Sequence, residues 1–291
     1  MADTDTLTRD DPPPTPDDGA GPGAPLPDEG AETPTTSARV ITRETVLMLI
    51  VPPLLVAIAF GVWVVWRQNA DLDSVETQQL RWIEIVVRIL EHISLTVKSA
   101  ILVLILAIPL GILLTRGRMR RAAPIVVGIA NAGQAAPSIG LIVLLFIWFT
   151  VNPPMGLVVS GSTTAIIALT LYGLLPVLRN TIVGIQGVDP TLVEAGRGVG
   201  MTSAATLMRI ELPLAIPVIM SGVRTSLVLI AGTASLACFI DAGGLGVILQ
   251  TGISLFRYSL MVTGALLIAL LALLIEWLGR LLELVTRPKG I

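Results

Sequence analysis

Six stretches of this chain, near residues 46–66, 93–115, 123–149, 164–186, 215–240 and 258–280, are strongly apolar and almost free of charge. Each is long enough to cross a hydrocarbon core about 30 Å thick as a helix, which takes about 20 apolar residues. They predict an all-α membrane protein with six transmembrane helices. Composition agrees: 53% of the residues are hydrophobic and 14% charged, which excludes an ordinary soluble domain. The one cysteine, Cys238, falls inside the fifth run, rules out an intrachain disulfide and reads as a small packing residue. His92 stands alone at a span boundary, with too few partners around it for a metal site.

Residues 1–38 are different in kind. They carry nine acidic residues and one arginine, Arg9, among many prolines, glycines and threonines. Such a segment buries too little apolar surface to offset its ordering entropy, so it reads as a disordered tail. Its charge of −8 turns the −2 of the whole chain into +6 for the remainder.

The sign of the short loops sets the orientation. With the N-terminus in the cytoplasm, eleven cations lie inside: Arg39, Arg43, Arg116, Arg118, Arg120, Arg121, Arg197, Arg209, Arg280, Arg287 and Lys289. Four lie outside: Arg67, Arg81, Arg88 and Arg257. Trp63, Trp66, Trp148, Phe149, Phe256 and Tyr258 fall at the outer ends, where amphipathic rings favour the headgroup layer. Both termini are thus expected in the cytoplasm, and residues 68–91 form an external amphipathic helix on the membrane surface.

The cytoplasmic loop 187–214 looks ready to fold. Asp189 and Pro190 supply a cap and a first helical residue, and Leu192, Ala195 and Val199 then share one face. Glu194 and Arg197, three apart, are placed to pair beside that face. Gly198 and Gly200 end the helix, and Thr202 caps a second one, which Pro213 and Pro217 deliver into the fifth span. A solvated connector has no use for an apolar stripe, whereas a short helix that fits a groove on another protein does.

Glu194-Ala195-Gly196, Gly200 and Ile210-Glu211-Leu212-Pro213 resemble, at every spacing, the cytoplasmic EAA loop of ABC-importer permeases. Gly196 stands where that family usually has alanine, a change that weakens a helix by roughly 1 kcal/mol. Over roughly residues 93–283, stretches such as GQAAPSIGLIVLL and SGVRTSLVLIAGTASLACFIDAGGLG narrow the resemblance to the osmoprotectant branch, which carries glycine betaine, choline, carnitine and proline. The resemblance implies a type I ABC importer permease-like fold in a bacterial plasma membrane. Leu192, Glu194, Ala195, Gly196, Arg197, Gly200 and Pro213 would belong to the segment that docks on the ATPase. It also implies ABC ATPase subunits, an extracytoplasmic substrate-binding protein and a second permease subunit, either a copy or a paralogue. Lipid surrounds such a chain, and no nucleic acid is implied. Residues 39–92, holding the first span and the external segment, and the C-terminal tail 284–291 lie outside the resemblance.

No phosphate-cradling G-x-x-x-x-G-K-[ST] is present, so ATP and Mg belong on the partner and this chain is a transport subunit binding no cofactor. AGRGVG lacks the preceding strand of a dinucleotide loop. Aromatic residues are too few to build a cage for a quaternary ammonium, which again points to a separate binding protein. Small polar side chains are the candidates for lining the pathway: Asn131, Gln134 and Ser138 in the third span, and Thr225, Thr233 and Ser235 in the fifth. Any one of them serves equally as packing between helices. Arg224, deeper in the fifth span, needs a partner or an aqueous path; a structural ion pair is the simpler reading. A permease for another small solute, such as an amino acid, stays open. An ion-coupled transporter would want acidic groups at mid-membrane, and none lies there. A non-transport scaffold would leave the EAA-like loop unexplained.

Overall fold

The computed structural model describes residues 43–156 and 158–286, so the acidic segment 1–38 and residues 287–291 lie outside it. Every regular element described is helical. The first span is α1 (Arg43–Asn69), followed by the short α2 (Ser74–Gln79) and the long α3 (Trp82–Leu114). A 3-10 turn, Gly117–Ala122, leads into α4 (Ala123–Ala135) and α5 (Ser138–Val151), and α6 (Gly161–Gln186) returns across the molecule. The connecting loop holds α7 (Pro190–Gly198) and α8 (Ser203–Thr206). A π turn, Leu207–Glu211, then runs without a break into α9 (Leu212–Thr233), which tightens to a 3-10 stretch over Ala234–Ile240. Last come α10 (Gly246–Ser254) and α11 (Tyr258–Thr286).

Among the described residues five continuous helical stretches are long and apolar enough to cross a membrane, and the bent α4–α5 pair, with the turn before it, makes a sixth if counted as one span. That pair departs from the single helix expected over 123–149, because it is bent by 98°. The cause is local. Pro137 disfavours the α conformation in the residue before it, and Ala136 is accordingly extended, at φ −65° and ψ 143°.

The segment 68–91 also departs from expectation. It is no separate surface helix, since its second half is the start of α3. Its first half is α2, closed by a capping box: Asp73 accepts from the Glu76 amide at 2.8 Å, and Glu76 accepts from the Asp73 amide at 3.1 Å. Leu80 and Ile85 are buried in a cluster with Trp63, Leu245, Ile248 and Leu260. Trp63 therefore faces its own chain rather than a headgroup layer. It is buried, and its Nε1 donates to Thr263 Oγ1 at 3.0 Å, pinning α1 to α11.

The core is α6, with α3 and α9 packed against it. Lipid tails are as apolar as leucine, so such helices need close approach and hydrogen bonds rather than hydrophobic burial to associate. Both are present. A Cβ on Gly173 of α6 would lie 2.6 Å from Ile230 Cδ1, and one on Gly222 of α9 would lie 2.7 Å from the Pro176 carbonyl. Ser226 donates to the Gly173 carbonyl at 2.7 Å, and Ser99 to that of Ile166 at 3.3 Å. His92, buried, donates from Nε2 to the Ala231 carbonyl at 2.9 Å, joining α3 to α9. Among the described residues no cluster of His, Cys, Asp or Glu could hold a metal ion. α1 exposes apolar side chains such as Leu54, Ile58 and Val62, the surface expected of a helix facing lipid.

Candidate functional site

α7 forms where its capping chemistry places it. The Thr191 amide donates to Asp189 Oδ1 at 2.9 Å, and that bond holds the carboxyl below its usual range. Pro190 occupies the first turn. At the other end Val199 closes the helix, so Gly198 still belongs to it and only Gly200 takes the left-handed conformation, at φ +86°. The Met201 amide reaches back to the Gly196 carbonyl at 3.1 Å, consuming one of the terminal acceptors. Thr202 then caps α8 by accepting from the Ala205 amide at 3.2 Å.

The two faces of α7 differ. Leu192, Ala195 and Val199 are all exposed, Val199 by 78%, so the apolar stripe has no cover among the described residues. Gly196 faces inward and is buried: a Cβ there would lie 2.6 Å from Ile210 Cδ1, the isoleucine of the Ile-x-Leu-Pro signature. Glycine at this position lets α7 lie close against the turn that begins the fifth span. Glu194 and Arg197 make no ion pair with each other among the described contacts, contrary to expectation. Both instead line a hollow of about 270 Å³, together with Gln186, Arg116 and Glu211.

The last two residues form a clamp that sequence reasoning missed. Arg116, just past the end of α3, donates through both Nη atoms to the Glu211 carboxylate, Nη1 to Oε1 at 3.1 Å and Nη2 to Oε2 more closely. Glu211 is buried and lies at the variable position of Ile-x-Leu-Pro. Pro213 follows in the first turn of α9. One fork thus ties the loop holding α7 to the end of α3.

Of the pathway candidates, Gln134, Ser138 and Thr233 gather around Tyr172, and the others stand apart from them. Thr225 and Thr233 turn back to carbonyls of their own helix, Ser221 at 3.0 Å and Leu229 at 2.7 Å, and Ser235 bonds the Gly232 carbonyl at 2.7 Å. Ser138 meets Thr233 and Tyr172 at a closed junction, and Gln134 donates to the Tyr172 carbonyl at 3.3 Å. Asn131 is exposed on α4. Arg224 has its partner, Glu283 at 3.2 Å.

The polar opening of the molecule lies elsewhere. Away from α7, Arg88, Glu91, Ser94, Lys98, Ser162 and Asp241 line a hollow of about 460 Å³. The signal for it in the sequence was Lys98, the one cation in an otherwise apolar run.

These features define a class: a helical membrane permease with a short, capped helix built into the loop that leads into α9. Residues 107–287 match the model of the family described as "Binding-protein-dependent transport system inner membrane component". The chain belongs to that family. It is 39% identical over 207 residues to the choline transport system permease protein OpuBB of Bacillus subtilis, covering 71% of this chain and 90% of that one. It is 40% identical over 201 residues to the osmoprotectant import permease protein OsmW of Salmonella typhimurium, covering 69% and 91%. In fold it is similar to a chain of the MetNI methionine ABC transporter in an inward-facing conformation. That match has a TM-score of 0.62 at 22% identity, covering 75% of this chain and 100% of that one.

Proposed function

We propose that this chain forms the translocation pathway of an ATP-driven importer for a small osmoprotectant, a quaternary ammonium compound or a related amino acid. A separate binding protein delivers the solute, and a separate ATPase supplies the work. The observation that carries the reading is α7: a helix fixed at both ends by local capping, with an apolar stripe open to a partner, in a chain of this family. A second permease subunit completes the pathway. The excess of arginine and lysine in the loops on the α7 side supports an inner-membrane orientation with both termini in the cytoplasm.

The test is uptake of glycine betaine and choline into vesicles holding the permease, with and without the ATPase and binding protein. Uptake is expected only with all three and with ATP on the ATPase side. Glu194→Lys puts a cation beside the stripe and is expected to cut both uptake and substrate-stimulated ATP hydrolysis at least tenfold, with normal membrane levels. Uptake driven by an ion gradient without the ATPase would overturn the proposal.

A further inference from the structure

The hollow lined by Lys98 and Asp241 is far from α7. Lys98 stands sixteen residues before Leu114, where α3 ends beside the Arg116–Glu211 clamp, so it lies about 24 Å along the helix from that end. The hollow therefore lies well away from the α7 end of the molecule, which on the importer reading is the side where a delivered solute arrives. Its volume of about 460 Å³ falls within the roughly 300–1,000 Å³ of small-molecule sites.

Its charges are arranged in two ways. Arg88 and Glu91 satisfy one another at 2.9 Å, and Glu91 also accepts from the Gly244 amide at 2.8 Å. They form a neutral wall, with Arg88 Nε still lacking an acceptor. Lys98 and Asp241 are unlike them, because neither side chain has a hydrogen bond or ion pair among the described residues. Lys98 is exposed on a helix that holds no other charged residue from Ile93 to Leu114. An ammonium facing hydrocarbon is costly, so this one faces the water of the hollow. Asp241 follows the 3-10 end of the fifth span in a left-handed conformation, at φ +57°, which few side chains other than Asn and Asp accept. One unspent positive charge and one unspent negative charge thus face the same polar space.

We propose that this hollow is a receiving site for a small zwitterion, whose carboxylate meets Lys98 and whose cationic head meets Asp241. The proposal rests on the importer reading above and deepens it. A solute held at both ends needs no aromatic cage at this point, and it leaves toward the pathway when either contact loosens.

Two probes separate the ends. Glycine betaine carries both charges; choline carries a similar head without the carboxylate. The full complex is reconstituted in vesicles of phosphatidylethanolamine and phosphatidylglycerol, and maximal uptake is measured with saturating binding protein. Lys98→Gln is expected to lower glycine betaine uptake at least fivefold and choline uptake less than twofold, and Lys98→Arg to restore the first. Asp241→Asn, which tolerates the same backbone, is expected to lower both at least fivefold. Equal losses for both probes in Lys98→Gln, or no loss in either variant while the wild type transports, would overturn the site and leave the importer reading intact. Wild-type uptake of choline without glycine betaine would overturn the zwitterion assignment. Wild-type failure with both would sink the importer reading itself.

Discussion

Gly200 holds its backbone at φ +86°, and nothing lies within 4 Å of where a Cβ would stand. Any penalty for replacing it is therefore conformational rather than steric. Proline fixes φ near −65° and would swing the chain away from the turn that aims α7, while asparagine tolerates the left-handed region. Gly200→Pro is expected to abolish at least nine-tenths of ATP-driven uptake and Gly200→Asn less than half, with both proteins inserted at wild-type levels. Vesicle uptake and ATPase assays on the pair check this; equal activity in all three would reduce the loop to a connector. Gly196 makes the opposite case, since it is crowded rather than strained. Alanine there gains helix propensity but has to push aside the flexible end of Ile210.

At the scale of elements, the bend between α4 and α5 is carried by one residue pair. Pro137→Ala releases Ala136 to the α region and lets the two helices fuse. Nitroxides on cysteines at Val127 and Trp148, in a Cys238→Ser background, would then stand about 31 Å apart at the backbone, against about 20 Å across the 98° bend. Pulsed electron resonance is expected to show the lengthening, and uptake to fall several-fold; an unchanged distance would mean that tertiary packing imposes the bend. The proline was visible in the sequence, but mean hydropathy over an apolar run does not sense a backbone break. α7 was legible for the converse reason: Asp189, Pro190, Gly200 and Thr202 act on backbone groups within a few residues of themselves. The Arg116–Glu211 clamp joins residues 95 apart, and Trp63 and its partner Thr263 are 200 apart. No local pattern announces such meetings. The Glu194–Arg197 pair failed because spacing on a helix allows an ion pair without compelling it, and exposed pairs gain only a few tenths of a kcal/mol.

For the whole molecule, orientation is the claim that everything else leans on. Single cysteines at Ser162 and Tyr258, again without Cys238, are expected to react with an impermeant thiol reagent added to intact cells. Cysteines at Arg118 and Ser203 are expected to react only after the membrane is opened. The reverse pattern would put α7 outside, where no ATPase could reach it. The π turn at Leu207–Glu211 adds a constraint on the assembly as a whole. A π turn holds one residue more than an α turn over nearly the same rotation and rise, so it absorbs that residue without turning the helix before it relative to the helix after it. Removing any one residue from that turn would leave a regular helix of ordinary composition, fully able to insert. The same deletion further along, within α9 itself, would meet no such slack and would turn α7 and everything before it by about 100° about the axis of α9.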